Sequence, residues 1–296
     1  MTPIRPGAAV IPFAVPEVVQ LVDSTNRYLA DLVRAGLADG SQVPEGYAVV
    51  ADYQSQGRGR LERRWEAPVS SAVLCSLVFR PGLAFEELHL TAWAVALAAV
   101  QACREIAGIE LSLKWPNDLM ALKEKSGQGG PLARAGGEQK VAGILSEIVR
   151  SVGTTGPRSE QLDKQSAVVV GIGINVNWPP GWPPEDTEDP ELASIAARGT
   201  ALNRLAGLEV DRCALIGSLL VCTGAMNAKV ATKQGRRELA SLYRLACSTV
   251  GREVKVELAN EAVVGTALDV DDAGRLLLST GAGIRTITAG DVVHLR

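Results

Sequence analysis

The chain has 296 residues, with 30 Lys and Arg against 33 Asp and Glu, so its net charge is −3 at neutral pH. This length can bury a complete hydrophobic core in one large domain or two, and the charge provides no general attraction for nucleic acid or an anionic membrane. Only two histidines occur, His89 and His294, which disfavours a histidine-based metal site or a Ser-His-Asp triad. The cysteines are scattered without CxxC spacing, as is typical of thiols in a reducing cytosol.

We expect neither a targeting segment nor a membrane span. Residues 1–16 lack a continuous apolar core followed by a small-residue cleavage site, so they do not form a secretory signal. The longest apolar stretch, Thr91 to Ala102, is shorter than the roughly 20 residues that cross a bilayer. The sequence therefore predicts a soluble, cytoplasmic protein.

Helical and strand patterns alternate along the first part of the chain. Asp23-Ser24-Thr25 has the chemistry of a helix N-cap. The alanine-rich segment from Glu86 to Ile106 is apolar nearly all round, which predicts a buried helix. Pro116 interrupts a strand ladder. The predicted elements are a helix over 26–36, strands over 46–52 and 72–79, a helix over 86–106, and short strands over 111–114 and 119–122.

Two polar connections and a change of composition mark the second part. Residues 123–139 lack periodicity and predict a disordered hairpin tip, and residues 150–164 form another polar connection. From Ser248 onward, short strands separated by turns predict a small β-barrel. The predicted strands cover 141–149, 167–176, 253–258, 263–270, 275–279, 285–288 and a last strand containing His294; the predicted helices start near Pro190 and cover 211–232 and 238–246.

The segment from Gln54 to Trp65 is the most informative one. Four arginines and one glutamate fall within residues 57–64, and two of those arginines alternate with glycines. Glycine allows close approach of the backbone to a ligand, and the arginine fork matches phosphate or carboxylate. The pattern indicates a mobile anion-binding loop beside an aromatic wall. A solvated basic loop is the alternative.

Two further segments place lysines beside groups that can do chemistry. Lys114-Trp115-Pro116-Asn117-Asp118 breaks a strand, so that its side chains point off the sheet, and the aspartate can accept a proton from an incoming amine. An Asn-Asp turn beside a packed tryptophan is equally compatible with it. Lys140 opens a strand that Gly143 interrupts, where backbone can touch a ligand. Taken alone, Lys140 fits a gatekeeper against edge aggregation better.

The segment from Gly171 to Asn177 contains two glycines in a buried apolar run. It is not a dinucleotide fingerprint, because the third glycine and the helix that it opens are missing. Small residues within a strand instead favour close packing of an adenine or another fused ring. The chain also lacks a Walker P-loop.

Taken together and in order, these segments resemble the biotin protein ligases, also called biotin–[acetyl-CoA-carboxylase] ligases, over about residues 20 to 296. The resemblance implies an α+β fold: a central mixed β-sheet flanked by helices, as in class II synthetases, and a C-terminal SH3-like β-barrel. The implied domains are 1–247 and 248–296. The segments are Ser24-Thr25-Asn26, Gln54 to Trp65, Lys114 to Asp118, Lys140 to Leu145, Gly171 to Asn175, and the ending Gly-Asp-Val-Val-His-Leu-Arg.

The resemblance implies two reactions at one site. Biotin and Mg-ATP form biotinyl-5′-AMP, and a lysine of a biotin carboxyl carrier protein or carboxylase domain then receives the biotin. The implied catalytic residues are Lys140, Arg58, Arg60 and Asp118. Biotin is expected to contact Ser24, Thr25, Gln54, Gly57, Arg58, Lys140 and Gly143. ATP and the adenylate are expected to contact Arg58, Arg60, Trp65, Asn117, Lys140 and Asn175; the resemblance identifies no Mg²⁺ ligands.

The chain departs from the family in three places. Family members usually carry glycine two residues after the second loop arginine, where this chain has Glu62. The connection over 123–139 is longer than usual. About twenty residues precede Asp23, too few for the winged helix of bifunctional members, so we expect no DNA binding and no membrane association.

Three further questions stay open at this point. A lipoate or octanoyl-type ligase or transferase shares the catalytic architecture, but the Gly-Arg-Gly-Arg loop and the C-terminal barrel disfavour it. A non-catalytic biotin-sensing co-repressor needs a DNA-binding element that the chain does not offer. Monomers and sheet-edge homodimers both occur among such ligases.

Overall fold

A computed structural model describes residues 15–122, 137–149 and 167–295. The predicted polar connection over 150–164 and most of the predicted hairpin tip lie outside these residues. The last two residues of that tip were wrongly assigned, because Glu138 and Gln139 already belong to a strand. Residues 1–14, which belong to the stretch that was judged not to be a secretory signal, also lie outside the described residues.

The larger part of the molecule is built on a seven-stranded mixed sheet. Its order is β1-β2-β3-β7-β6-β5-β4, with β1 parallel to β2 and the other neighbouring pairs antiparallel. Its first strand was not predicted from the sequence. The strands are β1 (Glu17–Val22), β2 (Ala48–Gln54), β3 (Ala72–Phe79), β4 (Ser112–Lys114), β5 (Asp118–Leu122), β6 (Glu138–Val149) and β7 (Ala167–Asn175).

Helices cover both faces of this sheet, and strand alternation decides which residues each face receives. One helix packs Leu29 and Val33 on the face formed by Val49, Val78 and Val169. The opposite face packs against the long helices. The helices are α1 (Thr25–Asp39), α2 (His89–Ala107), α3 (Pro190–Arg198), α4 (Leu202–Ala206), α5 (Arg212–Val230) and α6 (Lys233–Ala246), with a 3₁₀ turn over Phe85–Glu87.

Two helical segments, Phe85–Ala107 and Arg212–Val230, reach the length and hydropathy of a membrane span. They pack against each other, and α2 supplies much of the main core through residues such as Trp93, Ala98 and Cys103. Core helices of globular proteins pass the same test, so this finding carries no argument for a membrane. Cys75 and Cys103 are buried free thiols.

Five antiparallel strands form a second, smaller sheet at the C-terminus, in the order β11-β10-β9-β8-β12. This confirms the predicted fold class, α+β with an SH3-like β domain; the boundary between residues 247 and 248 stays a prediction. The strands are β8 (Glu253–Glu257), β9 (Ala262–Val270), β10 (Leu276–Thr280), β11 (Gly283–Ile287) and β12 (Asp291–His294).

The two sheets meet beside β4. Ser248 donates its backbone N–H to the Leu113 carbonyl at 2.7 Å, and Trp115 donates its indole N–H to the Gly274 carbonyl at 3.0 Å. His294 lies 2.6 Å from the Glu138 carboxylate. These contacts place β12 next to the polar edge of the larger sheet.

Candidate active site

A cavity of about 220 Å³ runs across the α1 side of the sheet. It spans the width from β2 to β4, so residues from both ends of the sheet face one space. Most of the residues that were predicted to bind or react line it: Ser24, Thr25, Gln54, Arg58, Arg60, Trp65, Asn117, Asp118, Lys140, Gly143 and Asn175.

Gly57 is the one predicted site residue outside this lining. Its carbonyl accepts the Trp65 N–H at 2.9 Å, and a Cβ at this position would lie 2.3 Å from the Trp65 carbonyl oxygen. Gly57 therefore permits the close approach that holds the base of the loop together. Its direct contact with biotin stays a prediction.

One end of the cavity has a floor of interlinked polar groups. Thr25 donates its backbone N–H and its hydroxyl to Gln54 Oε1, at 2.7 and 2.9 Å. Asn26 donates from Nδ2 to the Glu147 carboxylate at 2.9 Å, and the Ser76 hydroxyl donates to Asn26 Oδ1 at 2.6 Å. These groups are fixed before a ligand arrives, which suits recognition of a small polar ring.

Asn26 is a member of the site to which the sequence analysis gave no role. Only 4% of its surface is exposed, and a Cβ at Gly171 would lie 2.1 Å from its Oδ1. The Ser-Thr-Asn order was the available signal, because the third residue of that motif lies on the first turn of α1 and faces the sheet.

The arginine loop is folded over the cavity by contacts with distant segments. Arg58 donates to Glu147 at 2.9 Å, and Arg60 donates to Asn117 Oδ1 at 3.2 Å. Arg63 forms an ion pair with Asp291 of β12, and Arg64 with Asp189 at 2.5 Å. Burial lowers the pKa of Arg60 from its ordinary value, although an arginine stays protonated in proteins.

Two consecutive loop residues have left-handed backbone conformations, Leu61 with φ 55° and Glu62 with φ 57°. A non-glycine residue pays about 1–2 kcal/mol for this conformation. Glu62 stands where the resembling family usually has glycine, so this departure imposes backbone strain on the loop.

Replacing Glu62 with glycine is expected to raise the free energy of unfolding by about 0.5–1 kcal/mol, because the relieved strain exceeds the entropy cost of a new glycine. Glu253→Gly, at an exposed position of β8, is the control and is expected to lower it by about 0.5–1 kcal/mol. Urea denaturation of both variants measures the difference. An equal decrease in the free energy of unfolding in both variants would show that the backbone of Glu62 is not strained.

Trp65 packs directly on the glycines of the neighbouring strands. A Cβ at Gly173 would lie 2.4 Å from the indole Cε2, and one at Gly143 would lie 3.2 Å from the indole Cζ3. The fused ring that was expected on the Gly171–Asn177 strand is therefore, in this structure, the indole of Trp65. Strand residues without side chains make room for it.

Lys140 and Asp118 meet at the centre of the cavity. Lys140 Nζ lies 2.6 Å from Asp118 Oδ1 and 5.7 Å from the centroid of the Trp65 ring. The pair lies on adjacent strands β6 and β5, so the sheet itself determines its position. A cation and a carboxylate are thus held side by side between the polar floor and the arginine loop.

Two asparagines are held in defined orientations. Asn117 donates to the Ile144 carbonyl at 2.9 Å, and buried Asn175 donates to the Thr200 carbonyl at 3.0 Å. Each amide therefore has one end bound to backbone while its residue lines the cavity. Recognition of adenine by Asn175 stays a prediction.

Within the parts of the chain that the structure describes, no three His, Cys, Asp or Glu side chains are grouped to hold a metal ion. The carboxylate closest to the centre, Asp118, is already paired with Lys140. Mg²⁺ usually keeps several waters and binds through one or two carboxylates together with substrate phosphates. A role for Mg²⁺ at this cavity therefore stays a prediction, with Asp118 as the carboxylate nearest to Lys140 that could contribute to it.

The sheet and the small β domain, together with this cavity, define the class of ligases that activate a carboxylic acid for transfer to protein. Two family models match the chain: the Biotin/lipoate A/B protein ligase family over residues 18–156 and the Biotin protein ligase C terminal domain over residues 249–295.

Individual relatives agree with the family models. The chain is 33% identical over 286 residues to the Biotin--[acetyl-CoA-carboxylase] ligase of Mycobacterium tuberculosis, covering 95% of this chain and 89% of that protein. It is 32% identical over 252 residues to the Bifunctional ligase/repressor BirA of Bacillus subtilis, covering 85% and 67%. The biotin protein ligase from Aquifex aeolicus, solved with biotin and ATP, matches with a TM-score of 0.67 and 28% identity, covering 95% and 98%. This chain belongs to the biotin protein ligase family.

Proposed function

We propose that this protein activates biotin with Mg-ATP to form biotinyl-5′-AMP and transfers the biotinyl group to a lysine of a biotin carboxyl carrier protein or carboxylase domain. The observation that carries the proposal is a single cavity lined by a polar floor, an arginine loop and the Lys140–Asp118 pair. The polar floor, the arginine loop and Lys140 serve the first reaction step, and Asp118 serves the second.

The first step brings two anions together. A carboxylate oxygen of biotin attacks the α-phosphorus of ATP, and the bond to the bridging oxygen breaks as pyrophosphate leaves. Lys140, Arg58 and Arg60 stabilise the negative charge that builds on phosphorus. Mg²⁺ bound together with the ATP phosphates would add positive charge there. Ser24, which lines the cavity, and the floor residues Thr25 and Gln54 orient the ring of biotin.

The second step needs an entry for the acceptor lysine. Asp118 lines the central cavity and also a neighbouring cleft of about 830 Å³ between the arginine loop, Phe85 and the turn at Gly274. An acceptor lysine that enters through this cleft reaches Asp118, which takes a proton as the amine attacks the mixed anhydride. The carbonyl–phosphate bond breaks, and AMP leaves.

Exchange of labelled pyrophosphate into ATP tests the proposal directly. We expect exchange that depends on biotin and on Mg²⁺, and no exchange with lipoate or octanoate. Removal of Mg²⁺ by chelation should abolish the signal, and added Mg²⁺ should restore it. Exchange supported by lipoate instead of biotin would assign the chain to the other branch of its family.

The remaining parts of the proposal concern where the protein acts. The proposed acceptor domains and ATP fit a cytoplasmic enzyme; the absence of DNA and membrane binding stays an expectation from the sequence. Edge strand β1 exposes Val18 and Leu21, and a monomer and a sheet-edge homodimer are both compatible with that surface. Sedimentation with and without biotinyl-5′-AMP distinguishes the two.

Replacing Arg58 with glycine is expected to speed loss of biotinyl-5′-AMP from the enzyme by roughly tenfold to a hundredfold. Arginine over the phosphate is a charge-assisted contact worth about 1.5–3 kcal/mol, and each 1.4 kcal/mol is a factor of ten. The measurement is biotinylation of a bystander protein. Arg285→Gly, in an exposed pair with Glu261, serves as control. Equal bystander labelling by both variants would refute the lid role of Arg58.

A further inference from the structure

His294, at the end of β12, is a buried histidine to which the proposed reaction assigns no role. Only 9% of its side chain is exposed, and the side chain of Glu138 beside it is exposed to the same extent. A glutamate is rarely buried unless it is paired. The two groups form such a pair at the place where the small β domain meets the larger sheet.

Both ring nitrogens of His294 have partners. Nδ1 lies 2.6 Å from Glu138 Oε2, and Nε2 lies 3.0 Å from the Thr249 hydroxyl. A neutral ring with its proton on Nδ1 donates to the carboxylate and accepts from the hydroxyl at the same time. Arg252 lies 3.0 Å from Glu138 Oε1 and 3.3 Å from His294 Nδ1. The imidazole therefore joins β12 both to β6 and to the turn that follows α6.

Thr249 extends these contacts to the strand break between β4 and β5. Its hydroxyl oxygen accepts the Trp115 backbone N–H at 3.0 Å, and the residue has no exposed surface. The same hydroxyl can donate its own proton to His294, since a hydroxyl both donates and accepts. An unbroken series of hydrogen bonds thus runs from Trp115 through Thr249 and His294 to Glu138.

The two ends of this series lie close in sequence to the pair at the centre of the cavity. Trp115 precedes Asp118 by three residues, and Glu138 precedes Lys140 by two residues on β6. Because side chains alternate along a strand, Glu138 and Lys140 lie on the same face of the sheet. One imidazole of the small β domain therefore holds both segments that determine how Lys140 and Asp118 face each other.

Attachment of the small β domain does not by itself require this series. A buried charged pair often gives no more stability than apolar residues of the same volume, because desolvation offsets the attraction. Burial alone would raise the pKa of Glu138, but the contact with His294 and the charge of Arg252 hold this pKa below its ordinary value. In a site with little water, hydrogen bonds are strong and a satisfied network is rigid. The series therefore fixes the geometry of the segments that it joins.

We propose that His294 is a positioning residue for biotin activation and transfer, which holds the strand break and β6 so that Lys140 and Asp118 keep their productive arrangement. This inference rests on the proposed function. Lys140 Nζ lies 2.6 Å from Asp118 Oδ1 in that arrangement. His294 does not line the cavity, and it acts through the Trp115 backbone and the Glu138 carboxylate.

The test compares His294→Ala and His294→Asn with the unchanged protein. In His294→Ala, the single-turnover rates of adenylate formation and of transfer from chemically prepared biotinyl-5′-AMP are both expected to fall roughly tenfold to a hundredfold, the effect of shifting reactive groups by up to about 1 Å. The KM for biotin should change less than about twofold, because the polar floor lies on α1 and β2. Asparagine places an amide N–H where the Nδ1–H of histidine lies, so His294→Asn should regain most of the lost rate.

Thr249 provides an independent test at the other end of the series. Thr249→Val removes the hydroxyl while it keeps the volume of the side chain, and it should lower both rates as His294→Ala does. Thr249→Ser retains the hydroxyl and should keep both rates. Wild-type rates in a folded Thr249→Val protein would overturn the proposal.

Ile287→Val is the matched control, because it trims a buried side chain of the small β domain and leaves the hydrogen bonds of His294 intact. It should lower the urea midpoint of unfolding and keep both rates. Rates in His294→Ala within about threefold of wild type, against the expected tenfold or more, would overturn the proposal, and so would an equal loss in His294→Asn. A wild-type protein that makes no biotinyl-5′-AMP would instead refute the proposed function, so the two failures are distinguishable.

Discussion

Replacing Lys140 with alanine is expected to slow formation of biotinyl-5′-AMP by about 10²–10³-fold, the effect of removing one preorganised charge donor. Lys140 lies between Asp118 and the Trp65 ring, so that its ammonium is fixed before ATP binds. The loss should appear in kcat as well as in kcat/KM, because the contact strengthens as charge builds on phosphorus. Rapid quenching of a single turnover measures the rate.

Lys255→Ala provides a control for this experiment, because Lys255 is an exposed partner of Glu257 at 2.8 Å and does not line the cavity. It should form the adenylate at the wild-type rate. A change of less than about threefold in Lys140→Ala, against the expected 10²–10³-fold, would remove Lys140 from the mechanism. Circular dichroism of both variants checks that the fold is retained.

Replacing Gly173 with alanine is expected to reduce adenylate formation by about 10²-fold, the cost of displacing reactive groups by about 1 Å. The new Cβ would lie 2.4 Å from Trp65 Cε2, so the indole must leave the strand. Overpacking of this kind also lowers the free energy of unfolding by about 1–3 kcal/mol. Single-turnover kinetics and urea denaturation report the two effects.

Gly217→Ala is the matched control, because a Cβ at this position of α5 meets nothing within 4 Å. It should leave activity unchanged and stabilise the helix by up to about 1 kcal/mol. In a Trp65→Ala background, Gly173→Ala should lose most of its effect on stability, since the clashing ring is gone. An undiminished loss in that background would show that the clash involves other atoms.

The periodicity of apolar residues in the sequence was sufficient to predict the long, uninterrupted helices and strands. The strand over 72–79 has the predicted bounds, because all its residues are buried and apolar β-formers dominate it. By contrast, Glu17–Val22 was missed, since it lies at the sheet edge with no fully buried residue. The short helix Leu202–Ala206 was missed as well, because five residues are too few to show a helical period.

Local motifs in the sequence were sufficient to predict which residues carry the chemistry of the site. They did not predict which side chains those residues pair with. Arg63 and Arg64 pair with Asp291 and Asp189, which lie more than a hundred residues away and carry no mark of that role. The pairing of Lys140 with Asp118 requires the β5–β6 register. Such contacts arise from the tertiary fold, so a single sequence does not disclose them.

At Glu62, the sequence motif and the backbone conformation each contribute a different part of the explanation. The sequence departs there from the glycine that is usual in the resembling family, and the structure has a left-handed backbone with φ 57° at that residue. The motif showed which residue is unusual. Only the backbone conformation explains why the difference has an energetic cost.

Transfer of biotin to protein tests the central claim most directly. The purified chain is incubated with biotin, Mg-ATP and a biotin carboxyl carrier domain, and intact-mass spectrometry follows the acceptor. The account predicts addition of one biotinyl group to one lysine, which depends on ATP and is lost in Lys140→Ala. An acceptor that stays unmodified, while the enzyme also accumulates no biotinyl-5′-AMP, would contradict it.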